Sequence, residues 1–422
     1  MKKLLGCCFF LCVIYSCGKS EDQQEDVLLT SNIEVYEEGL IDDSLVLAVE
    51  NGADKSYLLD KAGNKIKTWD FDLKLGNDLE IMSDGKLLGM FKVDDPAFSF
   101  GGGGGIIRIL NIDGSVDWEY KYATENHLAH HDVEMLPNGN IIFLAWERIT
   151  KSEAKLNGVE TEGDIFPEVL VEVNPNTNTI VWEWHSFDHI IQDKLPSSTL
   201  TYGVLSENPQ NININYYSID NGDIMHANGI DYDAEKDVIY ISVNYYGEVW
   251  VVDHSTTLLE AKTSLGGNYG KGGDLLYRFG NPKAYNSVFG ERMFSRNHFP
   301  NFLEKNIPGA GNVLVYMNGN DVGQSTVYEL KMPEVFELKT EESNEPNVVW
   351  SFTDSELFYG KISGATRLKN GNTLICEGDY GFWEITPEKE VAWKYNGGKV
   401  SFWRGYPYTW DSPEIKSLKL KK

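Results

Sequence analysis

The segment MLPNGNIIFLAWE, residues 135–147, places an Asn138-Gly139 turn between two apolar runs, and RLKNGNTLICEGD at 367–379 repeats the pattern. An Asn-Gly pair between β-rich runs is the strongest short-range hairpin signal, because both central residues of the tight turn need positive φ. A second hairpin follows each: EVNPNTNTIVWEW at 172–184 and EITPEKEVAWKY at 384–395, the outer strand ending on tryptophan. ILNIDGSVDWEY (109–120), LLDKAGNKIKTWDF (58–71), NVVWSF (347–352) and the tyrosine variant DLLYRFG (274–280) continue the series. The strand-end aromatics Trp69, Trp118, Trp182, Tyr277, Trp350 and Trp393 therefore mark six copies of a two-hairpin unit. Six such units close into a ring with no free sheet edge, so the expected fold is all-β, a six-bladed β-propeller. Long spacings place insertions at 148–167, 185–220 and 281–311, and loops of that size in compact domains usually carry function. The glycine run in FSFGGGGGI (98–106) precedes no helix and has no phosphate-loop spacing, so it reads as a flexible link.

The chain has 422 residues, with 41% apolar and 12% aromatic side chains, the composition of a globular protein rich in strands. Its formal charge of −27 repels polyanions and excludes nucleic acid as an expected partner. The opening MKKLLGCCFFLCVIYSC is a basic start followed by an apolar run too short to span a bilayer. It resembles a bacterial lipoprotein signal, with Cys17 ending the lipobox Ile14-Tyr15-Ser16-Cys17. The acidic stretch Lys19-Ser20-Glu21-Asp22 is similar to the export tags of surface lipoproteins. The expected organisation is a signal and lipobox at 1–17, a polar tether at 18–27 and the propeller at 28–422. A lipid on Cys17 would anchor it in the cell envelope, at the outer membrane, facing the periplasm or the exterior; a plain secretory signal is the alternative. Once Cys7, Cys8 and Cys12 leave with the signal and lipid takes Cys17, Cys376 is the one cysteine left over, so no intrachain disulfide is expected.

Eight histidines are present. His131, His226 and His298 each precede the first strand of a unit by a similar offset, so a propeller would bring all three to one mouth of its channel. His127 and His130 read as loop residues, and His185, His189 and His254 as packing residues in insertions or outer strands. Three imidazoles could ligate zinc, but no two of them share a short ligand spacing on one element. Asp132 would point away from His131 if both lie on strand, and no metal is expected. Asp231, Asp233 and Asp237 lack the glycine and the final glutamate of a calcium loop.

HHDVEMLPNGN, HANGIDYDAEKDVIYIS, GDLLYRFGNPKAY, PGAGNVLVYMNG and GATRLKNGNTLICEGDYGFWEITPEKEVAWKY together resemble the bacterial arylsulfate sulfotransferase family, over about residues 45–410. The resemblance implies sulfuryl transfer from a phenolic sulfate ester to a phenol through a sulfated histidine, with no nucleotide or other cofactor. It assigns the nucleophile to His298, acid–base and oxyanion roles to His131 and His226, and donor orientation to Asn228. Asn244 stands where the best-known members carry a sulfuryl-clamping arginine, and Phe299 follows the nucleophile where a polar residue is usual. Arg404, in SFWRGYPY, and Arg296 are candidates for the replacement cation. A propeller that binds a ligand or partner at the same funnel without catalysis is the alternative from another class; a quinone-dependent dehydrogenase fits neither the repeats nor the unit count.

Overall fold

The computed structural model describes residues 27–195 and 200–422. The signal, the lipobox with Cys17 and nearly all of the tether lie outside the described residues. Among the described residues no helix is long and apolar enough to cross a membrane.

Over the described residues the architecture is all-β and propeller-like, with two short α-helices, Lys151–Leu156 and Pro413–Leu418. Four sheets stand as separate blades. One joins Phe402–Thr409 to Ser44–Glu50, Lys55–Leu59 and Lys65–Asp70; two more are the runs Ala227–Asp233 to Tyr277–Phe279 and Asn297–Phe302 to Asn347–Phe352. The fourth runs from Gly364–Arg367 to Val391–Asn396 and takes Ile33–Tyr36 as a fifth strand. The remaining strands, Leu75–Ile81 to Val116–Lys121 and His127–Met135 to Thr179–His185, form a single eight-stranded sheet. The repeats led us to expect six separate blades; the hydrogen-bonded sheets give four, plus this double-width one. The physical cause is one parallel pairing, Asn77 with His131, between the innermost strands of its two halves. Both residues have positive φ, 124° and 57°, which turns their backbones toward each other.

Two devices close the ring. The C-terminal strand Phe402–Thr409 pairs antiparallel with the early strand Ser44–Glu50, and Ile33–Tyr36 pairs with Val391–Asn396. Sheet edges that would be open are thereby filled by strands from the opposite end of the chain. The strand-end aromatics form a second circuit. Indole N–H groups of Trp69, Trp118, Trp182, Trp350 and Trp393 donate to Ile112 O, Asn178 Oδ1, Thr256 Oγ1, Pro387 O and Lys61 O. Tyr277 donates its hydroxyl to Asn344 O. Each donor reaches from an outer strand into the next segment round the ring, and Trp393 returns to the first. Beside Trp393, the buried Lys61 and Glu384 make an ion pair across the closing seam.

Regular elements lie within the described parts of the insertions. Residues 148–167 hold the helix Lys151–Leu156, capped by Thr150, and 185–220 hold a parallel pair, Ile190–Ile191 with Ile212–Asn213. The expected insertion at 281–311 contains an innermost strand, Asn297–Phe302.

Candidate active site

The innermost strands meet through their side chains. Asn228 Nδ2 donates to Asn297 O at 2.8 Å, Asp132 accepts from Ile230 N at 2.8 Å, and Arg404 Nη2 donates to Asn228 O at 3.3 Å. The pairing register slips at the same place on three of these strands, between His130 and Val133, Ala227 and Gly229, and His298 and Pro300. Each slip is a β-bulge, a device that re-aims side chains and is enriched beside active sites. His131, His226, Arg296 and Phe299 also have φ between 51° and 63°. Such non-glycine residues store strain that the surrounding structure must hold, about 1–3 kcal/mol each.

His298 is buried, at 4% exposure, and its Nδ1 lies 2.7 Å from Asn318 Oδ1. The amide of Asn318 can face only one way. Its Nδ2 donates to Tyr359 O at 2.9 Å and Ile362 O at 3.0 Å, and carbonyls only accept. Oδ1 must therefore receive the His298 Nδ1 proton. Burial first, then the Arg404 charge, holds His298 well below the ordinary imidazole range, so the ring is neutral. A neutral ring protonated on Nδ1 carries its lone pair on Nε2. From sequence alone Asn318 has no role beyond its place at the end of PGAGNVLVYMNG; it directly follows the strand Asn312–Met317, which pairs with the strand of His298.

His131 and His226 meet edge to face with ring centroids 4.9 Å apart, and Trp403 lies 5.6 Å from His131 and 6.2 Å from His298. The structure thus places the first two in contact, with Trp403 near both His131 and His298. His226 Nδ1 is 2.6 Å from Asp223 Oδ2, which leaves its Nε2 end for a ligand, and its ring stacks on Tyr245. His131 is not at the start of its strand: the strand begins at His127, so His130 is no loop residue either. His130 is fully buried, stacked on Trp146 at 3.7 Å. Burial and neighbouring His226 hold both His130 and His131 well below the ordinary imidazole range. The glycine run is not a slack link: Gly103 bridges to His130, and a Cβ on Gly102 would overlap the Nε2 end of His131. Glycine is needed there for the backbone to lie against the ring.

Asn244 donates through Nδ2 to Asn297 O at 3.1 Å and accepts from Arg296 Nη1 at 3.2 Å. Arg296 lies 4.4 Å over the Tyr245 ring and also donates to Tyr217 Oη. Arg404 is buried between Phe299 and Trp403, at 4.3 and 4.0 Å, and its Nη atoms are spent on Ser363 O, Trp403 O and Asn228 O. Its influence on the histidines is through its field, while Arg296 keeps a half-exposed guanidinium at Asn244. Asn228 Oδ1 is buried with no partner.

The far ends of the same strands carry carboxylates. Glu80, Glu134, Asp231 and Glu304 line a cavity of about 530 Å³ with Phe299 and Tyr408. Burial, with Asp78 as a like-charged neighbour, pushes Glu80 up to about 8, and burial pushes Asp231 up to about 7. Asp132 points into this half, away from His131, where Asp78 raises it further after burial. With carboxyl groups raised this far, much of that end is uncharged near neutral pH, and the cations Arg296 and Arg404 lie at the histidine end. Among the described residues no group of three or more His, Cys, Asp or Glu side chains is placed to hold a metal ion. Cys376 is buried, and burial pushes its thiol well up, which makes it inert.

Residues 17–402 match the family described as Arylsulfotransferase (ASST). No curated protein matches the chain. Among solved structures, the β-propeller domain of Myceliophteria thermophila Cps50 (Swd1) aligns at 9% identity and a TM-score of 0.39, covering 91% of this chain and 95% of that one. A Bacteroides fragilis protein provisionally described as a 6-phosphogluconolactonase aligns at 10% identity and a TM-score of 0.42, covering 87% of this chain and 98% of its own. At these values neither likeness bears on function.

Proposed function

Because the chain belongs to the arylsulfotransferase family, we propose that it moves a sulfuryl group from a phenolic sulfate ester to a phenol by way of a sulfated His298. The observation that carries this reading is the Asn318 amide, whose fixed orientation leaves the lone pair of a neutral His298 on Nε2. Nε2 attacks sulfur as the S–O bond to the aryl group breaks, and a second phenol reverses the exchange. Charge spreads onto three sulfuryl oxygens and the departing phenolate. Donors held ready for that charge are worth about 3 kcal/mol apiece. We assign that part to the Nδ2 proton of Asn228 that Asn297 O does not take, and protonation of the phenolate to His131.

Arg296 takes the part of the family arginine that Asn244 lacks, since its guanidinium reaches the Asn244 side chain from the residue before the strand Asn297–Phe302. Arg296→Gln is expected to lower kcat/KM about 100-fold, and adding Asn244→Arg to that variant should recover part of the loss in the same steady-state assay. No recovery, or no loss to begin with, removes Arg296 from the clamp.

We read the eight-stranded sheet as two blades held together by the single Asn77–His131 pair, which makes the propeller six-bladed. Cys17 is proposed to carry the lipid that tethers it to the cell envelope.

The deciding experiment incubates the soluble domain with a nitrophenyl sulfate and a phenol, following nitrophenolate release and intact mass. Turnover with a mass gain of about 80 Da, the SO₃ increment, is the expected result. The carboxylate-lined cavity favours a second reading, a propeller that binds a ligand without chemistry. That reading predicts no turnover and no adduct, but a ligand-dependent rise in melting temperature.

A further inference from the structure

Behind His131 lies a second chain of titratable groups that sulfuryl transfer as described above does not use. His131 Nδ1 is 2.8 Å from His130 Nδ1, and His130 Nε2 is 2.9 Å from Glu168 Oε2. The other carboxyl oxygen, Oε1, accepts from Ala227 N at 2.7 Å. Ala227 follows His226, so the far end of the chain is pinned to the strand of another site histidine. Glu168 and His130 are at most 1% exposed, and His130 is clamped face-on by Trp146. We infer that Glu168, His130 and His131 form a proton relay, in which Glu168 is the reservoir that supplies the departing phenolate and is refilled by the acceptor phenol.

The hydrogen bonds admit two states. In one, Glu168 Oε2–H donates to His130 Nε2, His130 Nδ1–H donates to His131 Nδ1, and His131 Nε2, the end of the ring beside Gly102, carries the proton. In the other every proton has moved one place, Glu168 is a carboxylate and His131 Nε2 holds a lone pair. Burial first, and then the neighbouring Asp223 charge, pushes Glu168 well above the ordinary carboxylate range, so the resting chain is in the first state. In that state His131 is a donor.

The inference rests on the sulfuryl-transfer reading and completes its accounting of protons. An aryl sulfate brings one negative charge. When His298 Nε2 takes sulfur, the electron pair of the broken S–O bond leaves with the phenolate. His131 Nε2 gives that oxygen a proton, His130 replaces it, and Glu168 replaces the one His130 gave. Neutral phenol departs. The sulfated His298 keeps its Nδ1 proton, so the N-sulfo ring is neutral overall, and the negative charge rests on Glu168. Ala227 N–H and the new His130 Nε2–H both donate to that carboxylate. The acceptor phenol then returns its proton to His131 Nε2, the chain shifts back, and the sulfate ester carries the charge away. Glu168 and His130 touch no substrate; they are positioning residues that act through His131.

Glu168→Gln isolates the relay. Its amide N–H still donates to His130 Nε2 and its carbonyl still accepts from Ala227 N, so shape and tautomers persist, but it has no proton to give. Proton donation to a leaving group is worth about 100-fold or more, and only when that group is a strong base. The variant should therefore lose about 100-fold in kcat/KM with an aryl sulfate of a weakly acidic phenol and about 3-fold or less with a nitrophenyl sulfate. An equal loss with both donors, or no loss with either, overturns the relay, since a structural role does not depend on the leaving group. Infrared difference spectra of wild type against Glu168→Gln give a readout independent of turnover. At neutral pH a protonated-carboxyl stretch should be present in the wild type and missing in the variant; a carboxylate signal instead overturns the relay. Failure of the parent reading looks different: the wild type would turn over neither donor, while the infrared comparison would still decide the protonation of Glu168.

Discussion

Replacing His298 by asparagine is expected to abolish both sulfuryl transfer and the mass adduct while leaving the fold intact. Asparagine is the informative choice because its amide N–H can still reach Asn318 Oδ1, the contact His298 makes at 2.7 Å. The buried position then keeps a satisfied polar group instead of stranding Asn318, whose unpaired carbonyl would cost about 1–3 kcal/mol. The nucleophilic Nε2 is the part that is lost. Removing the nucleophile of a covalent mechanism typically costs on the order of 10⁴-fold or more, because the remaining groups can only bind substrate and polarise it. Nitrophenolate release should fall to the level of buffer, with a melting temperature within a few degrees of wild type, about 1 kcal/mol in stability. Persistence of the adduct in His298→Asn would move the nucleophile to another histidine, His226 first, since its Nε2 end is free.

The ring of donors from Trp69 to Trp393 and the inner-strand placement of the site were legible for a local reason. Turn pairs such as Asn138-Gly139 and an aromatic ending the outer strand recur within a few dozen residues, and strand periodicity is a short-range signal. Blade separation was not legible, because Asn77 and His131 meet through positive φ at both residues, which no side-chain pattern announces. The same limit hid much of the site. His130 looked like a loop residue because AHHD breaks apolar alternation; in the fold it is buried within a strand and faces Glu168 from the adjacent strand but one. Arg296 was one of two candidate cations, and its contact with Asn244 distinguishes it from Arg404, whose two terminal nitrogens are committed to backbone carbonyls while its Nε is buried without a partner. The bulges explain the pattern of misses. The register breaks by one residue at Asn228 and at Phe299 and by two at His131 and Asp132, so simple alternation does not carry across these positions.

The orientation of His298 is the feature with the sharpest consequence, and Asn318→Leu tests it. Leucine is close in size but accepts nothing, so the His298 Nδ1 proton loses its partner and the Tyr359 and Ile362 carbonyls lose their donor. In water the two neutral imidazole tautomers are close in energy, with the Nε2-protonated form somewhat preferred. Freed from Asn318, His298 would place its proton on Nε2 for much of the time, where it blocks attack on sulfur. Wrong-tautomer histidines in other nucleophilic sites lose up to about 10⁴-fold, and a loss of about 10²–10³-fold in the sulfation step is expected here because the ring can still turn over to the reactive form. KM should change little, since Asn318 does not face the substrate. Asn318→Asp separates tautomer control from packing. A carboxylate still accepts the Nδ1 proton, so the Nε2 lone pair survives, but its second oxygen now faces two carbonyls and stability should fall by about 1–3 kcal/mol. Activity that follows the tautomer leaves Asp well above Leu in rate although Asp is the less stable protein. Nitrogen-15 chemical shifts of His298 should report a protonated Nδ1 in wild type and in Asn318→Asp, and a shift toward protonated Nε2 in Asn318→Leu. Equal rates in the two variants would mean that Asn318 only packs, and the argument for Nε2 as the attacking atom would lose its support.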